Sequence, residues 1–171
     1  MTEISEKLQT KIDAAIALLK EIATDYSPAV LATSYGAEDM VLTDLICKHA
    51  PQIGIFTLDT GRLHPETYRF FAKEEEHYGI RIEYCFPDAP EVQALVRRKG
   101  LFSFYDDGHT ECCGIRKVAP LKKYLAGVKA WITGQRRDQS PGTRADVALV
   151  EQDGTRVKLN PLALTTSEEV W

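Results

Sequence analysis

Apolar residues Ile4, Leu8, Ile12, Ile16 and Leu19 recur every three or four positions, which predicts an amphipathic helix over residues 3–24. The pattern then shortens. Residues 29–34 (AVLATS) are a brief apolar run closed by a turn, the mark of a buried strand, and 53–58 (IGIFTL) repeat it. Helical spacing returns over 38–49 and over 65–78, the latter with Pro65 in its first turn, where a missing N–H is harmless. Residues 80–85 (IRIEYC) alternate as a third strand, and 128–133 (VKAWIT) read as a fourth. Segments 91–99 and 113–125 read as helices between them. Residues 148–160 read as a hairpin turning at Asp153-Gly154. Strands that alternate with helices imply parallel βαβ units, so the expected fold class is α/β with a doubly wound, mostly parallel sheet. Such sheets bind ligands beyond the carboxyl ends of their strands. Here those ends are TSYGAED, LDTGRLHPET, FPDAP and TGQRRDQSPGTR.

A chain of 171 residues is long enough for one domain, 1–171, around one core. No apolar run approaches the roughly 20 residues that a membrane span needs. The N-terminus carries acids where a signal peptide starts basic, so a cytoplasmic location is expected. The net charge of −4 conceals an asymmetry. Residues 97–144 hold eleven Lys/Arg against four Asp/Glu, while residues 1–96 hold eight against sixteen. A basic half suits an anionic ligand. Its cations lack the aromatic interleaving of a single-strand binder, so no nucleic-acid partner is expected. Cys47 and Cys85 sit in apolar settings and read as small core residues, and His49 and His77 lie on helix surfaces. Ser167 is expected to cap a last helix that has barely begun at Trp171, and a further C-terminal tail is therefore expected.

Three stretches carry chemistry. SYGAED (34–39), between a strand and a helix, either presents backbone N–H groups to an anion, with Ser34 adding a hydroxyl and Gly36 allowing close approach, or is simply a turn. GQRRDQSPGTR (134–144) sets three arginines on a Gly/Pro-punctuated loop. Their forks match phosphate or sulfate oxygens, and the alternative is a solvated loop paired with Asp138. ECCGIRKVAPL (111–121) places Cys112 beside Cys113. Adjacent Cα atoms are about 3.8 Å apart, below the usual disulfide range, so a bridge is disfavoured. On a helix, Cys113 would share a face with Lys117 and Cys112 with Arg116, and a neighbouring cation favours the thiolate. The pair then suits a nucleophile, a soft metal centre or two unligated thiols. Zinc could recruit His64 or His109, but zinc-type spacing is lacking.

Four motifs in register, SYGAEDMVL, LDTGRLHPETY, ECCGIRKVAPL and GQRRDQSPGTR, together resemble the assimilatory adenylylsulfate/phosphoadenylylsulfate reductase family, relatives of the PP-loop ATP pyrophosphatases. The resemblance covers nearly the whole chain. It implies a PP-loop-type nucleotide-binding fold and thioredoxin-dependent reduction of adenylylsulfate to sulfite and AMP, in sulfate assimilation and cysteine biosynthesis. It implies that Ser34 and Gly36 belong to a modified PP-loop near the phosphosulfate. Leu58, Asp59, Thr60 and Gly61 would line the adenosine side, with Gly134 bordering the same cleft. Arg144 and Lys117 would neutralise the phosphosulfate, and His109 would border the site. Cys112 and Cys113 would be two of four ligands of a [4Fe–4S] cluster. Iron–sulfur members mostly prefer adenylylsulfate, whereas members lacking the cysteines use the 3′-phosphorylated form. The choice between these two substrates stays open here, as does a homo-oligomer. The family's second cysteine pair (CxxC) and its nucleophilic cysteine, in an ECG(I/L)H-type tail, have no match in these residues. The nucleophile is therefore unknown here, and the 171-residue chain alone is expected to be colourless, to bind nucleotide weakly and to release no sulfite.

Rival readings differ in checkable ways. A PP-loop ATP pyrophosphatase would need a SGGxDS-like loop, which Tyr35 and Ala37 interrupt. A non-catalytic nucleotide-binding module would bind but not turn over. A nucleic-acid binder would show salt-dependent binding of random oligonucleotides.

Overall fold

A computed structural model describes residues 4–106, 108–140 and 142–171. Glu3 of the first expected helix and Pro141 of the arginine loop lie outside the described residues. The chain forms two compact units, Met1–Ile55 with Val128–Trp171, and Phe56–Gly127.

In the first unit, helix α1 (Glu6–Asp25) starts at Ser5, whose hydroxyl accepts from the Leu8 N–H at 3.3 Å. It buries Ala15, Leu19, Ile22 and Ala23 and packs against α2 (Ala37–His49). Strand β1 (Ala29–Thr33) runs parallel to β4 (Ala130–Ile132), with Leu31 opposite Ile132. β4 runs parallel to β6 (Arg156–Leu159), and β6 pairs antiparallel with β5 (Val150–Asp153), giving the order β1-β4-β6-β5. Leu19, Leu31, Leu42, Ile46, Ile132 and Leu159 are all but inaccessible and form this unit's core. Burying each contributes about 1.5–3 kcal/mol. Asn160 is buried at the end of β6, where it accepts from the Thr133 hydroxyl at 2.6 Å and donates to the Ala148 carbonyl at 2.8 Å. These bonds fix the point at which β4 runs into the arginine loop.

In the second unit, β2 (Gly54–Leu58) pairs in parallel with β3 (Glu83–Cys85), with Leu58 opposite Cys85. Helix α3 (Pro65–Tyr78) ends at Gly79, whose φ of +64° is the left-handed stop that glycine allows. Helix α4 (Ala89–Lys99) is capped by Asp88, which accepts from the Glu91 N–H at 3.1 Å. α5 (Ser103–Asp106) and α6 (Thr110–Cys113) are short. A π-helical segment (Gly114–Val118) and α7 (Ala119–Leu125) follow without a break. Phe56, Phe71, Ile82, Leu95 and Leu125 are buried, with the Phe56 ring 4.3 Å from that of Tyr124. No helix among the described residues is long and apolar enough to cross a membrane.

The mostly parallel α/β sheet is as expected; several bounds are corrected. The strand expected over 80–85 is only β3, because the Ile80 N–H bonds the Glu75 carbonyl and the Ile82 N–H bonds Glu75 Oε1 at 2.8 Å. Those groups close α3 instead of extending a ladder. The strand expected over 128–133 shortens to β4. The hairpin turns at Gly154 and Thr155, with Gly154 at φ +61°, and not at Asp153. The last helix, α8 (Ser167–Val170), is capped by Thr166 and not Ser167: Thr166 accepts from the Glu169 N–H at 3.3 Å and Glu169 returns the bond at 2.8 Å.

The helix expected over 113–125 begins at Thr110 and is widened in its middle. Pro120 accounts for the widening. It has no N–H to donate, and its ring clashes with the carbonyl four residues back, that of Arg116. The chain answers with a five-residue turn in which the Ala119 N–H reaches the Gly114 carbonyl. Across this wider turn Cys113 with Lys117 and Cys112 with Arg116 still open on one cavity, as expected of residues that share a face.

Candidate functional site

The loop between β1 and α2 is organised by a carboxylate. Asp39, 5% exposed, turns back so that Oδ2 accepts from the Ser34 N–H at 2.6 Å and the Ser34 hydroxyl at 2.7 Å. Tyr35 sits at φ +64°, a conformation that most side chains avoid and that a SGG-type loop gives to glycine. Gly134, just past β4, lies against this carboxylate. A Cβ there would clash with Asp39 and stand 2.8 Å from Glu38 Cβ, so only glycine fits.

Glu38, next to Asp39, points to a different partner. Arg136, 4% exposed, donates to Glu38 Oε1 from Nε at 2.9 Å and from Nη2 at 2.6 Å. Its Nη1 pairs with Asp138 and its Nη2 reaches Ser167 Oγ at 3.1 Å. Gln139 accepts from the Arg136 N–H at 3.1 Å and from Arg144 Nη1, while Arg137 Nε donates to the Val147 carbonyl at 2.8 Å. The arginine loop is thus a bonded structure in which the three cations have separate tasks. The two carboxylates titrate in opposite directions. Burial dominates at Asp39 and raises its pKa despite the Ser34 bonds. At Glu38 burial also raises the pKa, but hydrogen bonds from Arg136 and Gln139 and the guanidinium charge outweigh it and leave the pKa lowered.

In the second unit the LDTGR segment leaves β2 as a tight turn. Asp59 Oδ1 accepts from the Gly61 N–H at 2.7 Å and from the Tyr68 hydroxyl at 2.9 Å, and Gly61 sits at φ +70°. The Thr60 carbonyl accepts from Arg116 Nη1 at 2.6 Å, which ties the turn to the π-helical segment. A cavity of about 420 Å³ opens beside it, lined by Thr60, Cys112, Cys113, Arg116, Lys117 and His109 together with Arg62, His64, Phe104 and Tyr105. Arg62 lies over the Phe104 ring at 4.4 Å and donates to the Leu101 carbonyl. The His109 ring stacks 6.1 Å from that of Phe104. Among the described residues no carboxylate lines this space, which holds three cations and two imidazoles. Arg116 is 8% exposed, and its Nε is buried without a hydrogen-bond partner. Glu111, which pairs with Arg98 and with Lys99 at 2.6 Å, anchors the start of α6 to the end of α4.

Of the residues singled out in the sequence, Ser34, Gly36, Gly134 and Arg144 belong to the first unit, where Gln139 links Arg144 to the Gly134 carbonyl at 3.4 Å. Leu58, Asp59, Thr60, Gly61, His109, Cys112, Cys113 and Lys117 belong to the second, and Thr60, His109, both cysteines and Lys117 share the cavity. Asp59 is engaged within its own turn. Glu38, Asp39 and Gln139 were missed, because acids in a first helical turn are ordinary and the partner of Glu38 is 98 positions away; Arg136, one of the three loop arginines, takes the alternative expected for that loop and pairs with Asp138 as well as Glu38. Arg62 and the aromatic pair Phe104 and Tyr105 were missed for lack of any spacing signal. Among the described residues no group of three or more His, Cys, Asp or Glu side chains is arranged to hold a metal ion.

Comparisons with known proteins bear on the family and the fold. The chain is 54% identical over 161 residues to adenosine 5'-phosphosulfate reductase of Pseudomonas aeruginosa, covering 90% of this chain and 60% of that protein. It thus spans about three fifths of the length of that relative. It is 49% identical over 178 residues to 5'-adenylylsulfate reductase 1, chloroplastic, of Arabidopsis thaliana, covering 97% of this chain and 38% of the relative. Among solved structures, phosphoadenylyl-sulfate (PAPS) reductase from Candida auris in a phosphate complex superposes with a TM-score of 0.77 at 20% identity, over 98% of this chain and 84% of that one, a likeness of fold. With residues 28–171 matching the phosphoadenosine phosphosulfate reductase domain, and with the parallel sheet and loop motifs in place, the chain belongs to that family.

Proposed function

We propose that this chain carries the nucleotide cradle and the thiol site of an enzyme that reduces adenylylsulfate to sulfite and AMP in sulfate assimilation. One observation carries the proposal: Cys112, Cys113, Lys117 and Arg116 line one cavity that gathers three cations and, among the described residues, no carboxylate. Thiols and an anionic sulfur ester both favour such a field. The first unit supplies Ser34 and Gly36 just past β1 and Gly134 just past β4, where open α/β sheets take their ligands, with Arg144 tied to Gly134 through Gln139.

A [4Fe–4S] cluster fits this cavity in one checkable respect. A buried N–H without an acceptor costs about 1–3 kcal/mol, and Arg116 Nε is such a group. A cluster's sulfurs would supply the acceptor. Cys112 and Cys113 would hold two of its irons, and the remaining two ligands would come from outside the cavity lining. The cluster would supply anionic sulfur next to cations that receive the substrate. In the proposed reaction Lys117 neutralises the phosphosulfate while a cysteine thiolate from outside this cavity attacks its sulfur. The S–O bond breaks with both electrons going to AMP, which leaves a thiosulfonate on the cysteine. A thioredoxin dithiol then attacks the cysteine sulfur, sulfite departs, and the second thioredoxin thiol resolves the mixed disulfide.

The test is anaerobic purification of the whole gene product, with iron, labile sulfide and sulfite release measured. About four irons per chain are expected, lost in Cys112→Ser and in Cys113→Ser. Iron retained in both variants would remove the cluster assignment. Pyrophosphate release from ATP and Mg²⁺, with no sulfite from adenylylsulfate, would replace the reductase with the PP-loop pyrophosphatase.

A further inference from the structure

Two anchors hold the cysteine segment from opposite ends. Glu111, at the start of α6, pairs with Arg98 and with Lys99 at 2.6 Å. At the far end of α7, Leu125 is buried and the Tyr124 ring lies 4.3 Å from that of Phe56. Between these anchors the π-helical segment spends one residue more on its turn than an α-helix does, which rotates α6 by about 100° relative to α7, measured against a regular helix. That rotation decides which side chains meet. On a regular helix Lys117 lies about 140° around the axis from Cys112, whereas a turn closed by a five-residue bond returns it to the same line. Cys112, Cys113, Arg116 and Lys117 all line one cavity, and Arg116 Nη1 reaches the Thr60 carbonyl at 2.6 Å.

We infer that Pro120 is a positioning residue, which brings the Lys117 ammonium to Cys112 by keeping the Gly114–Val118 turn wide. Pro120 itself is buried and does not line the cavity. This reading rests on the thiol site proposed above and deepens it, because it names the residue that sets the motif's cation against its cysteines. The backbone supplies no other cause for the extra residue. Gly114, at φ −55° and ψ −52°, and Ala119, at φ −64° and ψ −51°, are ordinary helical residues. An N–H at position 120 would give the Arg116 carbonyl its usual partner, and the clash of the ring with that carbonyl would go. The segment would then close as a regular helix, and Lys117 would swing away from Cys112.

The experiment compares alkylation by iodoacetate, an anion, with alkylation by iodoacetamide, which is neutral. The 171-residue chain is reduced and freed of metal by chelation, and each cysteine is read separately by peptide mass spectrometry. The ratio of the two rates cancels burial and thiolate fraction and leaves the local field. A unit charge about 6 Å away, at an effective dielectric of about 40, raises an anion's local concentration about tenfold. At Cys112 the ratio in the folded parent should exceed that of the urea-unfolded chain by about this factor and shrink as salt rises. Pro120→Ala, which puts the better helix former in place, should lower it at least about threefold with the chain still folded. Pro120→Val, closer in volume, is the second variant should the alanine fail to fold. Lys117→Met should lower the ratio as far, and the double variant no further than either alone. An unchanged ratio in a folded Pro120 variant, or falls that add in the double variant, overturns the inference and leaves the thiol site intact. A parent ratio equal to that of the unfolded chain removes the cationic field on which the thiol-site reading rests, and this inference with it.

Discussion

Replacing Arg136 by Met tests whether the arginine loop is held by buried electrostatics. Met fills much of the same volume but leaves Glu38 without its principal partner. Removing one member of a buried ion pair costs about 3–5 kcal/mol. Glu38 keeps 16% side-chain exposure and its Gln139 contact, which sets the expected loss at the lower end, about 3 kcal/mol. In a chain of this size that lowers the melting temperature by about 6–12 °C. Urea and thermal unfolding followed by circular dichroism measure it, and a cycle with Glu38→Gln isolates the pair, with an expected coupling of at least about 1.5 kcal/mol. The pH dependence has a defined sign. Glu38 is lowered from its ordinary 4.5. A depressed carboxylate stabilises the fold above its unfolded pKa, and this contribution is lost as pH falls through the folded value. The difference between parent and variant should therefore be full at pH 7 and shrink below about pH 4. A loss under about 1 kcal/mol, additivity in the cycle, or a deficit constant down to pH 3 would refute the reasoning.

Gly134→Ala forces a methyl against the Asp39 carboxylate and Glu38 Cβ, so it should cost about 1–3 kcal/mol and weaken AMP binding; an unchanged melting temperature would show that the loop yields freely. Arg144→Ala removes the cation that Gln139 holds near Gly134, and AMP or adenylylsulfate affinity should fall by about 1.5–3 kcal/mol. Equal affinities by calorimetry would take Arg144 out of the site. The Cys85 thiol is pushed up to about 11 by burial and then by Glu83. At pH 8 only about a thousandth of it is thiolate, so alkylation of Cys85 should be much slower in the folded chain than in the urea-unfolded one. Equal labelling rates, read by peptide mass spectrometry, would contradict the burial.

Much of the fold was legible because its signals are local. Pro65 and Gly79 bracket α3, and the residues between them keep one helical period. The apolar runs at β1 and β2 are too short for helices and stand next to turn residues. What failed did so where a local signal competed with a specific atom. Alternation over 80–85 was overruled by a single carboxylate, Glu75, which takes the Ile82 N–H. The regular helix over 113–125 was overruled by Pro120, a residue visible in the sequence whose missing N–H should have raised the alternative. The candidate site divides in the same way. Adjacent cysteines and an arginine loop stand out as residue types, so Cys112, Cys113 and Arg144 were found. Glu38 and Asp39 were passed over because acids at a helix start need no explanation beyond the dipole. Their distinct roles depend on Arg136, 98 positions from Glu38, and on the backbone at Gly134.

The basic half of the sequence shows how charge counts mislead about anion binding. Eleven cations between residues 97 and 144 suggest a broad receptive surface. Several of them are engaged within the protein: Arg98 and Lys99 on Glu111, Arg136 on Glu38 and Asp138, and Arg137 on the Val147 carbonyl. An ion pair already made inside the protein lends little field to a ligand, because its partner cancels it at distances beyond a few ångströms. Capacity for an anion is therefore concentrated where, among the described residues, cations stand without carboxylates, in the cavity of Arg62, Arg116 and Lys117 with the two cysteines. The acidic half contributes the opposite: at the β1–α2 loop Asp39 takes up the donors that would otherwise receive a phosphate. Recognition of an anion depends on which charges the fold has left unpaired.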